Sequence, residues 1–283
     1  MRLQSNPHSI DRTRKSKNSI FAVLKEHRKQ ATSIVISFIT VAVVLIIWHI
    51  AAIRIDLPFI LPRPTTAIAR FFEFLPTKPF ISAVTGSMLN VIAGYTSGVI
   101  FGTLLALAAF TCYPVKAVLA PFVKVARTVP FASFILLCIL WMSDNTASAF
   151  IGAIMVFPIV YENVLAGFAS TDARHLEMSR AYGFGRIKTL THVFIPTALP
   201  YLGSASVNAL GLAWKACVSA EVLCIADDTI GYYIFNSKDF FDTEQLFAWT
   251  IAVVIMSLLL ESVAKLIAHI VKRRGRRSYG YGK

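Results

Sequence analysis

Few ionisable side chains interrupt the apolar stretches of this 283-residue chain, and those few mark where chemistry can occur. Lys215 and Glu221 fall inside one apolar run at 198–224. A charge at mid-bilayer costs about 2.5–3.5 kcal/mol on insertion scales, so such residues face protein or a water-filled cavity. Lys215 can line a path for an anionic or polar solute, or it can pair with another span. Six positions apart, Lys215 and Glu221 do not share a helix face, which argues against a direct pair along the helix. Arg127 and Lys124 precede Pro130 in another apolar run, where a broken helix lets them meet a helix end or a solute route. Arg127, Lys215 and Glu221 are therefore the candidate pathway residues. Glu162 reads as interfacial, and Glu261 and Lys265 have the i, i+4 spacing of a helix-face pair.

The remaining chemistry-bearing residues do not cluster. His8, His27, His49, His175, His192 and His269 are scattered, with no paired carboxylates at acid–base or metal spacing. Cys112, Cys138, Cys217 and Cys224 lie in or beside apolar stretches without metal-ligand spacing and read as free, buried thiols. No G-x-x-x-x-G-K-[ST] loop occurs to cradle a nucleotide phosphate. The expectation is a chain with no catalytic residue, no metal and no nucleotide site of its own.

Composition sets the frame for these residues. Charged residues make up 15% of the chain and hydrophobic ones 56%, at a mean hydropathy of +0.64. Ordinary soluble proteins carry about 25% charged residues, so the apolar excess must face lipid. The net charge of +13 suits a nucleic-acid partner in a soluble protein. Here half of the 28 basic residues lie in two tails, 1–33 and 271–283, which speaks for membrane orientation and against nucleic acid.

Apolar runs at 34–53, 84–110, 115–142, 146–168, 198–224 and 246–270 meet the length needed to span a bilayer. The first has too long a leader and no clean cleavage site for a signal peptide. The third, with Pro121 and Pro130, reads as a broken or tilted helix. Six spans put both termini on one side, and the basic tails make that side cytoplasmic. The loops agree: 225–245 is acidic and external, 169–190 is basic and internal. Residues 54–82, rich in proline, form an external surface connection with short helical pieces. Residues 34–270 thus form one transmembrane domain between two basic cytoplasmic segments.

The informative internal segment is Thr171–Pro200, TDARHLEMSRAYGFGRIKTLTHVFIPTALP. Asp172 or Thr171 can cap a short helix, Arg180 suits its last turn, and Gly183 can end it in the left-handed conformation. A second short amphipathic piece, 186–193, leads to Pro196 and Pro200 at the start of the fifth span. On residue types alone this is a helix–turn–helix platform, or an ordinary basic surface loop.

The segment resembles the signature loop of ABC-transporter permease subunits: Glu-Ala-Ala, three residues, Gly, nine residues, Ile, one residue, Leu-Pro. Glu177, Gly183 and Pro196 are identical and in register; Val193 and Ile195 are aliphatic replacements, and Met178 and Ser179 stand where the family has Ala-Ala. ILPRP (60–64), RTVPFASFILLCILW (127–141), FPIVYENVLAGF (157–168) and GLAWKACVSAEVL (211–223) are similar to importer permeases of the nitrate/sulfonate/taurine group.

The resemblance implies an all-α polytopic protein of the type I (MetI-like) permease fold in a bacterial cell membrane. It implies a homodimer with a second permease copy, two cytoplasmic ATPase subunits that hold ATP and Mg, and an external solute-binding protein. It also implies that the loop 169–196 docks on the ATPase through Glu177, Met178, Ser179, Arg180, Gly183, Arg186, Ile195 and Pro196. The rival classes are an ATPase-independent channel or secondary carrier, a membrane-anchored enzyme, and an exporter permease. The enzyme lacks a catalytic cluster here, and the exporter lacks its long cytoplasmic helices and fused ATPase. Nitrate, alkanesulfonates, taurine, bicarbonate and thiamine-precursor pyrimidines all remain open as solutes.

Overall fold

A computed structural model describes Thr32, residues 35–142 and residues 144–278, with backbone alone at 144, 145, 269 and 271–278. Most of the basic N-terminal tail, and the side chains of the C-terminal one, lie outside the described residues. Every regular element described is helical. The chain divides at Thr65 into two compact units, a boundary inside the segment 34–270 that the sequence treats as one.

In the first unit, α1 (Val35–Ile55) is long and apolar enough to cross a membrane, and Phe38, Ile46 and Ile47 are more than half exposed along it. It ends where Asp56 turns left-handed (φ 47°), a conformation that Asp adopts more readily than most residues. Trp48 Nε1 donates to the Pro62 carbonyl at 3.1 Å and Arg63 approaches Asp56 at 3.8 Å. These contacts fold the proline-rich connector back along the helix end.

The second unit contains α2 (Pro64–Phe74), which starts at the boundary, followed by α3 (Lys78–Thr111), α4 (Tyr113–Thr128), α5 (Phe131–Ile139), α6 (Asp144–Ala169), α7 (Ala173–Ala181), α8 (Arg186–Thr189), α9 (Ile195–Cys224), α10 (Ile230–Asp239) and α11 (Thr243–Ser278). A stripe of small residues at four-residue spacing lets α3 approach α6 closely. A Cβ on Gly98 would lie 2.7 Å from the Val156 Cβ, and one on Gly102 would lie 2.9 Å from the Val160 Cβ. Lipid offers no hydrophobic drive for helix association, so such backbone proximity and packing hold membrane helices together.

The order of these contacts fixes direction. Gly94 meets Ala149 and Gly152, Gly98 meets Ala153 and Val156, and Gly102 meets Phe157 and Val160. Both series ascend, so α3 and α6 run parallel, and the chain between them must return to its starting end. α4 and α5 make that return, bent by 101° at their break. Val129, restricted by the proline after it, is extended (φ −69°, ψ 130°), and Pro130 has no N–H to continue the helix. α4 stays at the end of α6 that bears Glu162, while Ile135 and Cys138 of α5 pack on Ala147 and Ile151 at its beginning. The third span is thus broken at Pro130; Pro121 is accommodated inside α4.

α9 returns antiparallel to α6. Gly167 lies against Ala198 at one end, and Gly152 faces the Cys217 thiol near the other. At that second end an aromatic stack joins four helices: Trp249 of α11 lies 5.3 Å from Phe80, 5.0 Å from Tyr233 and 6.3 Å from Phe74, ring centre to ring centre. The thiols of Cys138, Cys217 and Cys224 are buried as expected, but Cys112 is exposed because it sits in the turn between α3 and α4.

Candidate functional site

The loop between α6 and α9 is a built platform. The Asp172 carboxylate caps α7, accepting from the Arg174 N–H at 2.9 Å. At the other end the Tyr182 N–H donates to the Met178 carbonyl (3.0 Å), and the Phe184 N–H reaches back to Ser179 (2.9 Å). Gly183 makes this closure with φ +66°, where a β-carbon would be strained. Ser179 is buried, its hydroxyl on the Leu176 carbonyl at 2.8 Å. Glu177, Met178, Arg180, Gly183 and Arg186 are exposed, and Ile195 and Pro196 are partly covered.

Sequence reasoning missed three exposed apolar residues here: Tyr182 (75% exposed), Ile187 (78%) and Phe184. Their signal was three apolar residues within six positions of a basic loop, of which Tyr182 and Phe184 stand 6.4 Å apart, ring centre to ring centre.

The second piece of the loop departs from expectation. It is not a separate helix before the fifth span. α8, one π-helical turn (Leu190–Phe194) and α9 form one continuous helical segment from Arg186 to Cys224. The Ile195 N–H donates to Leu190, five residues back. That wider turn makes room for Pro196, which would otherwise clash with the carbonyl four residues earlier. Phe194 then packs edge-on against Phe110 at 4.7 Å, and Phe110 packs against Phe168 at 4.8 Å, so the loop is rooted on the ends of α3 and α6.

Along α9 the two sides differ. Ala198, Ala205, Ala209, Ala213, Trp214, Ala216 and Ala220 are buried, whereas Ser204, Asn208 and Lys215 are exposed. A Cβ on Gly203 or Gly211 would meet nothing within 4 Å. Ser204 satisfies its hydroxyl locally on Tyr201 (3.0 Å). Asn208 has no hydrogen-bond partner among the described residues, and Lys215 has no carboxylate within ion-pair distance there. Glu261, paired with Lys265 at 2.7 Å as its spacing predicts, lies within electrostatic reach of Lys215.

Glu221 is separated from Lys215 by the structure. It is fully buried, with its carboxylate taking Ser87 Oγ at 2.6 Å, Asn90 Nδ2 at 3.0 Å, Ser148 Oγ at 3.5 Å and the Gly231 N–H. A carboxylate so enclosed presents nothing to a solute in this protomer, so its grouping with the pathway residues does not match its position. Arg127 forms an ion pair with Glu162, both partly exposed, and this gives Glu162 a partner that a plain interfacial reading lacks.

Parallel α3 and α6 around an antiparallel α9, a broken return, and a loop continuous with a polar-faced span make the frame of a multi-span helical protein. The chain belongs to the family described as binding-protein-dependent transport system inner membrane component, which matches residues 98–277. It is 27% identical over 228 residues to a putative aliphatic sulfonates transport permease of Bacillus subtilis (80% of this chain, 82% of that one). It is 24% identical over 235 residues to the taurine transport system permease of Escherichia coli (81% and 85%). To the nitrate import permease of Synechococcus elongatus it is 27% identical over 193 residues (62% and 67%). The fold matches the methionine ABC transporter MetNI in an inward-facing conformation, with a TM-score of 0.60 at 14% identity over 68% of this chain and 96% of that one.

These findings identify a multi-pass membrane protein of the MetI-like fold and a permease subunit of an ABC importer of the nitrate/sulfonate/taurine type. They favour that function over an ATPase-independent channel or carrier.

Proposed function

We propose that two copies of this chain form the pathway between them, with the Ser204–Asn208–Lys215 side of α9 lining it. The supporting observation is that polar face, in the middle of a membrane-crossing helix and turned away from the protomer's own bundle. Polar groups at that depth are stable only against protein or water. A second copy supplies the protein, and the route between the copies supplies the water. Lys215, with no carboxylate within ion-pair distance among the described residues, favours a small anionic or polar solute.

The α7–α8 platform is the contact for the ATPase subunits, which hold ATP and Mg; this chain binds neither. Glu177 and Arg180 offer charge, Met178, Tyr182 and Ile187 offer apolar anchors, and Ser179 and Gly183 fix the shape. Closure of the ATPases draws the two platforms together and α9 carries the motion into the membrane, exchanging inward-open for outward-open. Both termini face the cytoplasm with the platform, and the external solute-binding protein delivers at the opposite face.

The test is thiol accessibility. Asn208→Cys, in a background with the exposed Cys112 changed to Ser, should react with a membrane-impermeant thiol reagent in the assembled complex. Reaction only with a lipid-soluble reagent would sink the pathway assignment.

A further inference from the structure

Glu221 is the one carboxylate among the described residues that is wholly enclosed, and no step of solute passage uses it. Its surroundings indicate its role. Ser87 and Asn90 come from α3, Ser148 from α6 and the Gly231 N–H from the first turn of α10, while Glu221 itself stands in the last turn of α9. Ser87 is shared: its hydroxyl donates to Glu221 and accepts from the Ile230 N–H at 2.9 Å. The α10 backbone lies flush on α9, since a Cβ on Gly231 would come within 2.3 Å of the Glu221 Cβ. The Glu221 carbonyl also accepts from Ala226, which holds the turn between the two helices (3.1 Å). A buried carboxylate persists only where its hydrogen bonds are filled, and here three other helices fill them.

The other end of the same rod is the loop platform. α8, the π turn and α9 run unbroken over 39 residues, roughly 58 Å at the helical rise. The α8 side of the platform and Glu221 thus stand on one helix, which gives a movement of α8 a direct route to Glu221. We infer that Glu221 is a positioning residue that clamps α10 to α9, so that a movement imposed at the 169–196 platform is delivered to α10 at the opposite end of the span.

The inference goes beyond the pathway proposal but rests on reading the platform as the ATPase contact. Coupling of this kind needs an element with two arrangements that both ends bias, and the continuous rod with α10 fixed to it is that element.

The experiment follows α10 while nucleotide acts at the far end. Lys238, exposed on α10, is changed to Cys in the Cys112→Ser background, and the complex with its ATPase subunits is reconstituted in nanodiscs. Its labelling rate with an impermeant maleimide is read without nucleotide and after trapping with ATP and vanadate. With Glu221 intact the rate changes by at least about fivefold, the lower end of ordinary allosteric coupling. Glu221→Ala brings the change below about twofold while ATP hydrolysis and co-purification of the ATPase persist, and Glu221→Gln, which keeps shape and one acceptor, restores most of it.

Should Glu221→Ala fail to assemble, Ser87→Ala removes the shared hydroxyl alone and gives a partial loss. A full nucleotide response in Glu221→Ala, or in Ser87→Ala where that variant stands in, overturns the clamp and leaves the ATPase reading intact. No nucleotide response at position 238 with Glu221 intact overturns the clamp, and if no ATPase co-purifies either, the platform reading falls with it.

Discussion

Arg127, in the last turn of α4, is ion-paired with Glu162 of α6, so the elbow between α4 and α5 is tied to a neighbouring span just before it bends. The pair fixes the position of the elbow against α6. Arg127→Glu should lower solute uptake by reconstituted complexes with little change in thermal stability, and Arg127→Glu combined with Glu162→Arg should recover it. If the swap does not recover uptake, Arg127 acts on the solute and not through Glu162.

Gly98 has no room for a side chain. Gly98→Val should part α3 from α6 and cost about 1–3 kcal/mol, the usual range for overpacking, lowering the unfolding temperature of the detergent-solubilised protein. Gly211→Ala, with open space before it, is the control and should hold that temperature or raise it slightly, since alanine is the better helix former.

Gly183→Val places a branched side chain at φ +66°, with a strain of about 1–2 kcal/mol, and opens the end of α7. Pull-down of the ATPase subunits should weaken, and Gly183→Asn, which tolerates the left-handed region, should retain most of the binding. Ile187→Asp should weaken it as well without touching the fold, because Ile187 is 78% exposed.

Lys215→Glu should reduce uptake of an anionic solute far more than Lys215→Gln, with Lys215→Arg closest to the native protein. Equal uptake by all three variants would show that the charge does not see the solute.

The five long membrane-crossing helices, the break in the third apolar run and the capping of α7 were all legible in the residues, because length, proline and an Asp-to-Gly interval act locally. The position of Glu221 was not legible. Its partners Ser87 and Asn90 stand 134 and 131 residues away, and nothing near Glu221 distinguishes a carboxylate facing a pathway from one enclosed by three other helices. The unbroken entry into α9 was hidden for a different reason. Pro196 and Pro200 signal a helix start, and only a wider turn, which no residue pattern announces, lets the helix begin ten residues earlier at Arg186. Tyr182 and Ile187 stand among basic residues in the sequence, and only the folded loop shows their side chains to be exposed.

The parallel course of α3 and α6 has a consequence for how the protein is made. A hairpin can close as soon as its second arm leaves the ribosome, but α3 must wait while α4 and α5 are threaded back across the membrane. Through that interval the Gly94–Gly98–Gly102 groove lies open, a ready seat for any other helix with small residues at its surface. A chain halted near residue 142 should therefore be captured by a quality-control protease or a foreign helix. One extended past Ala169 should be protected.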